Sequence, residues 1–189
     1  MKISGENVIP VDQNKVWEGL NDPEVLRQAI PGCESLEKTG DNNFVATVVT
    51  RIGPVSVRFE GQVELADLDP PNGYTLKGSG NAGPMGAAKG AARVKLVQMP
   101  DGGTKLAYDV DAEMSGKIAQ LGSRLIQSTA NILAGQFFSK FSSVVAASAS
   151  PAGAAAVTAP VAAGSGKMKT LLLAGGAIVV IVVAILLLS

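Results

Sequence analysis

The residue types most able to support chemistry are concentrated in Gly78–Gly90, GSGNAGPMGAAKG, whose first six positions fit G-x-G-x-x-G. In a dinucleotide site, that pattern lets a tight turn carry backbone N–H groups up to a pyrophosphate at a helix N-terminus. It needs a strand before the glycines, a helix opening on the third, and an acidic residue about 20 positions further on. Tyr74–Lys77 can be the strand. No helix can follow it, because Pro84, Gly86 and Gly90 interrupt one within two turns. Ala92–Val97 then alternates apolar with polar, as a further strand would. A G-x-x-x-x-G-K-[ST] phosphate loop is absent from the sequence. The glycines therefore need an explanation other than nucleotide binding.

Other chemistry is narrowed by composition. The 189 residues include no histidine, which removes Ser-His-Asp and Cys-His nucleophile systems and most zinc sites. The single cysteine, Cys33, has no internal disulfide partner and reads as a small buried apolar residue. Formal net charge is zero and no basic stripe occurs, which argues against a nucleic-acid partner.

The elements that position these residues fall into three segments, read as a domain over 1–146, a linker over 147–166 and an anchor over 167–189. In the first, Val11–Leu20 reads as a short helix with Asp12 as N-cap, and Asn21–Ile30 as a second with Asp22 at N-cap and Pro23 at N1. Strand signals follow in Glu34–Lys38, Asn43–Ile52, Val55–Leu68, Tyr74–Gly80, Ala87–Val97 and Thr104–Met114, with Ile3–Ile9 before the helices. Short turns such as Gly53-Pro54 and Pro100–Gly103 join the later strands, so antiparallel pairing is expected. Lys117–Val145 reads as one long helix. Its apolar arc holds Ile118, Leu121, Leu125, Ile126, Ile132, Leu133, Phe137, Phe141 and Val144, and Phe138 falls on the polar side as an exposed residue.

Strand phase explains where the glycines fall. Leu106, Tyr108, Val110, Ala112 and Met114 alternate with Lys105, Asp109, Asp111 and Glu113, so one face of the sheet is covered and the other wet. Continuing the phase places Ala46, Gly61, Gly78, Gly80, Gly90, Ala92 and Ala112 on the covered face. Two explanations compete and are compatible: glycines that let a sheet bend and a helix lie close, or missing side chains that leave a pocket. The pocket would be lined by Phe44, Val48, Val57, Phe59, Gly61, Tyr74, Gly78, Met85, Tyr108, Met114, Ile118, Leu121 and Leu125, an apolar set suited to a hydrophobic ligand. Asp109, Asp111, Glu113, Arg93 and Lys95 phase outward, where cross-strand pairing accounts for them.

The C-terminal segments point to a membrane. Leu171–Leu188, with Leu171, Leu172, Leu173, Ile178, Ile181 and Leu188 among its residues, carries no charged or strongly polar side chain. As a helix, 170–189 spans ~30 Å, about one hydrocarbon thickness. Lys167 and Lys169 precede it and Met1–Glu6 lacks an apolar signal core, so the expected arrangement is a single-pass anchor in the cytoplasmic (cell inner) membrane with the domain on the cytoplasmic side. Ala147–Gly166, rich in Ala, Ser, Gly and Pro, is the leash. As a flexible coil it spans roughly 25 Å on average and ~65 Å fully stretched.

The order β-α-α, antiparallel strands, long C-terminal helix resembles the α+β helix-grip fold of the START/polyketide-cyclase-like (SRPBCC) superfamily. The blocks Leu20–Leu26 (LNDPEVL), Ile30–Glu34 (IPGCE), Gly53-Pro54-Val55, Leu68–Pro71, Lys89–Ala92 and Gln120–Ile126 resemble the family of carbon monoxide dehydrogenase G subunits, over about residues 1–146. The superfamily resemblance implies a cavity for hydrophobic ligands. The subfamily resemblance implies association with the aerobic, molybdenum-containing carbon monoxide dehydrogenase complex at the membrane, and it supplies no catalytic residue and no metal site. Together these give a non-catalytic tethered adaptor that binds a respiratory quinone, menaquinone or ubiquinone, and passes electrons toward the respiratory chain. Two alternatives stand beside it: a recruitment or assembly factor that carries no ligand, and a cyclase-type enzyme working through Tyr74, Tyr108 or a carboxylate.

Overall fold

A computed structural model describes residues 2–149. The expected anchor, and the linker beyond Ala149, lie outside the described residues. The first strand, β1 (Lys2–Ile9), leads into α1 (Gln13–Asn21) and α2 (Pro23–Ala29). Both helices start as the sequence suggests. The Asp12 carboxylate accepts the Asn14 N–H at 2.9 Å, and Asp22 accepts Glu24 N–H at 2.8 Å with Pro23 following it. Each cap satisfies backbone donors that have no partner within the helix.

The remaining strands form a meander: β2 (Cys33–Lys38), β3 (Asn43–Ile52), β4 (Val55–Asp69), β5 (Gly73–Asn81), β6 (Ala87–Gln98) and β7 (Thr104–Ser115). The sheet has seven strands in the order β1-β7-β6-β5-β4-β3-β2, antiparallel throughout. Because each strand reverses the last, its turns alternate between two rims. Segments 10–12, 39–42, 70–72 and 99–103 lie at one, called here the lower rim. The turns 53–54 and 82–86 and the exit of β7 lie at the upper rim.

The C-terminal helix departs from expectation at its start. Ile118–Leu121 is a 3-10 turn, Gly122 takes φ +90, and α3 runs from Ser123 to Ala149. Only glycine adopts that φ without strain, so the helical pattern continues in sequence while the backbone breaks. The helix also continues through Ala147–Ala149, the first residues assigned to the linker. Its buried stripe is Ile126, Ala130, Phe137, Phe141 and Val145. Ile132, expected inside, is 58% exposed, and Phe138, expected outside, is 5% exposed. Tyr108 of β7 is the reason for the second correction: its ring stacks on Phe138 at 5.7 Å, turning that side of the helix toward the sheet.

Gly19 sets how closely α1 and α3 approach. A Cβ there would lie 2.6 Å from Val145 Cγ2 and 3.3 Å from Phe141 Cζ. The absence of a side chain lets the two helices touch. No helix among the described residues is long and apolar enough to cross a membrane.

Candidate functional site: the covered face of the sheet

Strand pairing puts the small residues in contact with one another. Ala46 lies opposite Gly61, Gly61 opposite Gly80, and Gly80 opposite Ala88, a row across four strands. The adjoining row runs Gly78, Gly90, Ala112. All seven point to the side carrying the buried residues of their strands, as the alternation predicts.

The two explanations for the glycines divide by residue. A Cβ on Gly90 would sit 2.6 Å from the Asp111 carbonyl oxygen and 2.9 Å from Ala112 Cβ. Gly90 is therefore required by close approach of β6 to β7. Gly61 differs. It is buried, yet a Cβ there would meet only the carbonyl oxygens of Ser79 at 3.6 Å and Ala46 at 3.9 Å, both from neighbouring strand backbone. Nothing from α3 comes within 4 Å of that point. Close-packed interiors leave few such places; a side chain at Gly61 would sit in ordinary contact with the neighbouring strands instead of overlapping them.

The residues expected to line a pocket fall into two groups. Phe44, Val48, Val57, Phe59, Gly61 and Tyr74 are buried on the covered face, and Ile118 is buried beneath the upper rim. Gly78 and Tyr108 are half-buried on that face. Met85, Met114 and Leu121 are half-buried at the upper rim, and Leu125 is 37% exposed there. Leu125 packs at the tip of the β3–β4 turn, since a Cβ on Gly53 would be 3.2 Å from its Cδ2.

Tyr74 is the polar exception on an apolar face. Its ring meets Trp17 of α1 edge-on at 5.6 Å. Its hydroxyl is buried and has no hydrogen-bond partner. Leaving a buried donor unpaired costs about 1–3 kcal/mol. Burial pushes the Tyr74 pKa well above the usual tyrosine range, so the group stays a neutral donor at physiological pH. Tyr108 is shifted upward for the same reason.

Elsewhere the chemistry is sparse. Cys33 is half-buried, not fully enclosed; its Sγ lies 3.5 Å from the Ser35 carbonyl oxygen. Its pKa is raised by desolvation, with Arg27 pulling the other way, so it is not an activated thiolate. Among the described residues no group of three or more Cys, Asp or Glu could hold a metal ion. On the wet face Lys89 pairs with Glu113 at 3.0 Å, whereas Arg93 stands opposite Asp109 in register without forming an ion pair. A groove of about 820 Å³ lies toward the lower rim, between Gln13, the Asp67–Asn72 segment and Arg93–Gln98, and of the expected lining it touches only Tyr74. Gln13 spans it, donating from Nε2 to the carbonyls of Pro71 and Leu96. No pattern along the chain reveals the groove, which depends on Gln13 reaching across from another element.

A seven-stranded antiparallel sheet with a long C-terminal helix on one face defines a START-like helix-grip domain, and solved structures share it. A conserved protein from Geobacillus kaustophilus is 31% identical, with TM-score 0.74 over 78% of this chain and 97% of that one. A protein from Thermus thermophilus matches at 18% identity and TM-score 0.59, over 79% and 100% of the two chains. The Zhui aromatase/cyclase from Streptomyces sp. R1128 matches at 11% identity and TM-score 0.58, over 77% and 93%. The last two show the fold alone. Residues 5–146 match the family of carbon monoxide dehydrogenase G subunits (CoxG), and the chain belongs to that family. No curated protein sequence matches it.

Proposed function

We propose that this chain is a non-catalytic, membrane-tethered adaptor for aerobic carbon monoxide dehydrogenase. In this reading its covered face takes up a hydrophobic ligand, a respiratory quinone, and offers it to the enzyme as electron acceptor. Family membership supports the partner, and the apolar run Leu171–Leu188 supports the tether. The ligand reading rests on one observation: a side chain added at buried Gly61 would meet only strand backbone, at ordinary contact distance, with nothing from α3 within 4 Å, which we read as space for an apolar group. A ring and polyprenyl chain entering that space would exchange hydration for apolar contact. The Tyr74 hydroxyl would give a quinone carbonyl the hydrogen bond that the fold leaves unmade. Confinement beside the bilayer would raise the enzyme's effective concentration at the lipid, to about millimolar for a short flexible leash.

Lipid extraction and mass spectrometry of the purified full-length chain test the ligand. Quinone should be recovered from the wild type and lost from Gly61→Leu. A wild-type chain that yields no quinone and binds no added menaquinone would reduce the protein to a recruitment factor.

A further inference from the structure

The two rims of the sheet differ in charge. Segments 10–12, 39–42, 70–72 and 99–103 at the lower rim, with the end of β4 before them, contain Asp12, Asp41, Asp67, Asp69 and Asp101, and Arg93 and Lys95 line the groove beside Asp67 and Asp69. Segments 51–56, 81–89 and 115–125 at the upper rim contain Arg51, Lys89, Lys117 and Arg124, with Glu60 and Glu113 as the acids in register with them, opposite Asn81 and Lys89. Lys89 is taken up by Glu113. Arg51, Lys117 and Arg124 are exposed and have no ion-pair partner among the described residues. Scattered along the sequence, these residues are collected only by the alternation of turns in the meander.

The same rim carries apolar groups. Pro54, Pro84 and Leu125 are exposed, and Val55, Met85 and Leu121 are half-exposed. The rim is continuous. The β3–β4 turn meets the start of α3 at Gly53 and Leu125, and the β5–β6 turn meets the exit of β7, where a Cβ on Gly116 would lie 2.6 Å from Gly86 Cα.

We infer that the upper rim seats directly on an anionic lipid surface, with Pro54, Val55, Met85, Leu121 and Leu125 entering the interface and Arg51, Lys117 and Arg124 meeting the headgroups. Three unpaired cations around apolar tips complement anionic lipid, where each cation near the surface adds to binding. The opposite rim, where aspartates outnumber cations, offers no such match. The tether permits this pose. The 27 residues of α3 run about 40 Å from the upper rim, and the segment between Ala149 and Leu171 reaches about 70 Å when stretched. The chain can therefore turn back and plant its apolar run beside the rim. The inference deepens the tethered reading and takes the nearness of a bilayer from it, but it does not depend on the quinone.

Residues 1–149 alone test it, because the match to the Geobacillus structure takes in 97% of that chain and 78% of this one, so the domain is a unit of its own there. Co-sedimentation should show binding to vesicles of phosphatidylcholine mixed with phosphatidylglycerol, weak binding to phosphatidylcholine alone, and release at high salt. Lys117→Gln, on an exposed turn, should weaken binding about fivefold, and the triple change Arg51→Gln, Lys117→Gln, Arg124→Gln by on the order of 100-fold. The double change Asp41→Asn, Asp101→Asn at the lower rim should leave the upper rim's binding within about twofold of wild type. Circular dichroism confirms that each variant is folded. Equal binding to neutral and anionic vesicles, or a triple variant that binds as the wild type does, would overturn the inference and leave the rim to a protein partner. Neither result would touch the anchor or the ligand, since the tested chain lacks one and the assay does not supply the other.

Discussion

Gly61 and Gly90 share one face of one sheet, and alanine at the two positions should move stability in opposite directions. At Gly61 the added methyl meets only backbone oxygens at 3.6 and 3.9 Å, which is ordinary van der Waals contact. Replacing a mid-strand glycine recovers about 0.5–1 kcal/mol by restricting the unfolded chain. Burying one methyl adds about 0.8 kcal/mol. Gly61→Ala should therefore stabilise the ligand-free domain by about 1–2 kcal/mol, a rise of roughly 3–6 °C in Tm for a chain of this length. At Gly90 the same methyl lands 2.6 Å from a backbone oxygen and 2.9 Å from Ala112 Cβ, neither at the end of a flexible side chain. Forcing it in costs about 1–3 kcal/mol. Calorimetry or urea unfolding of delipidated protein reads both. If Gly61→Ala destabilises as Gly90→Ala does, the space beside Gly61 is filled and the ligand reading fails.

Three further outcomes follow from packing and protonation. Tyr74→Phe removes a buried hydroxyl without a partner, so the empty domain should gain on the order of 1 kcal/mol in chemical unfolding while quinone affinity falls about tenfold. Because burial raises the folded-state pKa of Tyr74 and Tyr108, their neutral forms support the fold fully below the unfolded tyrosine value near pH ~10. That support is lost as pH rises through the folded values, so stability followed against pH should decline above ~10, and less steeply in Tyr74→Phe. Gly19→Ala drives a methyl toward Val145 and should destabilise by about 1–2 kcal/mol, its gain in helix propensity offsetting part of the overlap.

Much of this architecture is legible because strands announce their faces. The alternation in Val55–Leu68 and Thr104–Met114 assigns Ala46, Gly61, Gly78, Gly80, Gly90, Ala92 and Ala112 to the covered side, and pairing across β3 to β7 agrees with those assignments. Phase cannot say why a residue is small. Gly61 and Gly90 have the same period and the same chemistry, and only the distance to the next strand separates ordinary contact from overlap. The start of α3 escapes the sequence because Gln120–Ile126 continues a helical pattern through Gly122, whose positive φ leaves no mark in hydrophobicity. Phe138 escapes it because a helical wheel knows nothing of Tyr108, whose ring determines which side of α3 is covered. The charge difference between the rims is invisible along the chain, since it arises from turns that alternate in space while lying far apart in sequence.

The central claim is that a hydrophobic quinone lies along the covered face from Tyr74 to Gly61, about 20 Å apart on the sheet, and the protein carries its own reporter at the Tyr74 end. Trp17 is the only tryptophan and lies against Tyr74, 5.6 Å between ring centroids. Titrating menaquinone into the full-length chain in detergent should quench its fluorescence saturably, at one quinone per chain, and Gly61→Leu should abolish the saturable part. Quenching that rises without saturation, and identically in Gly61→Leu, would contradict the account.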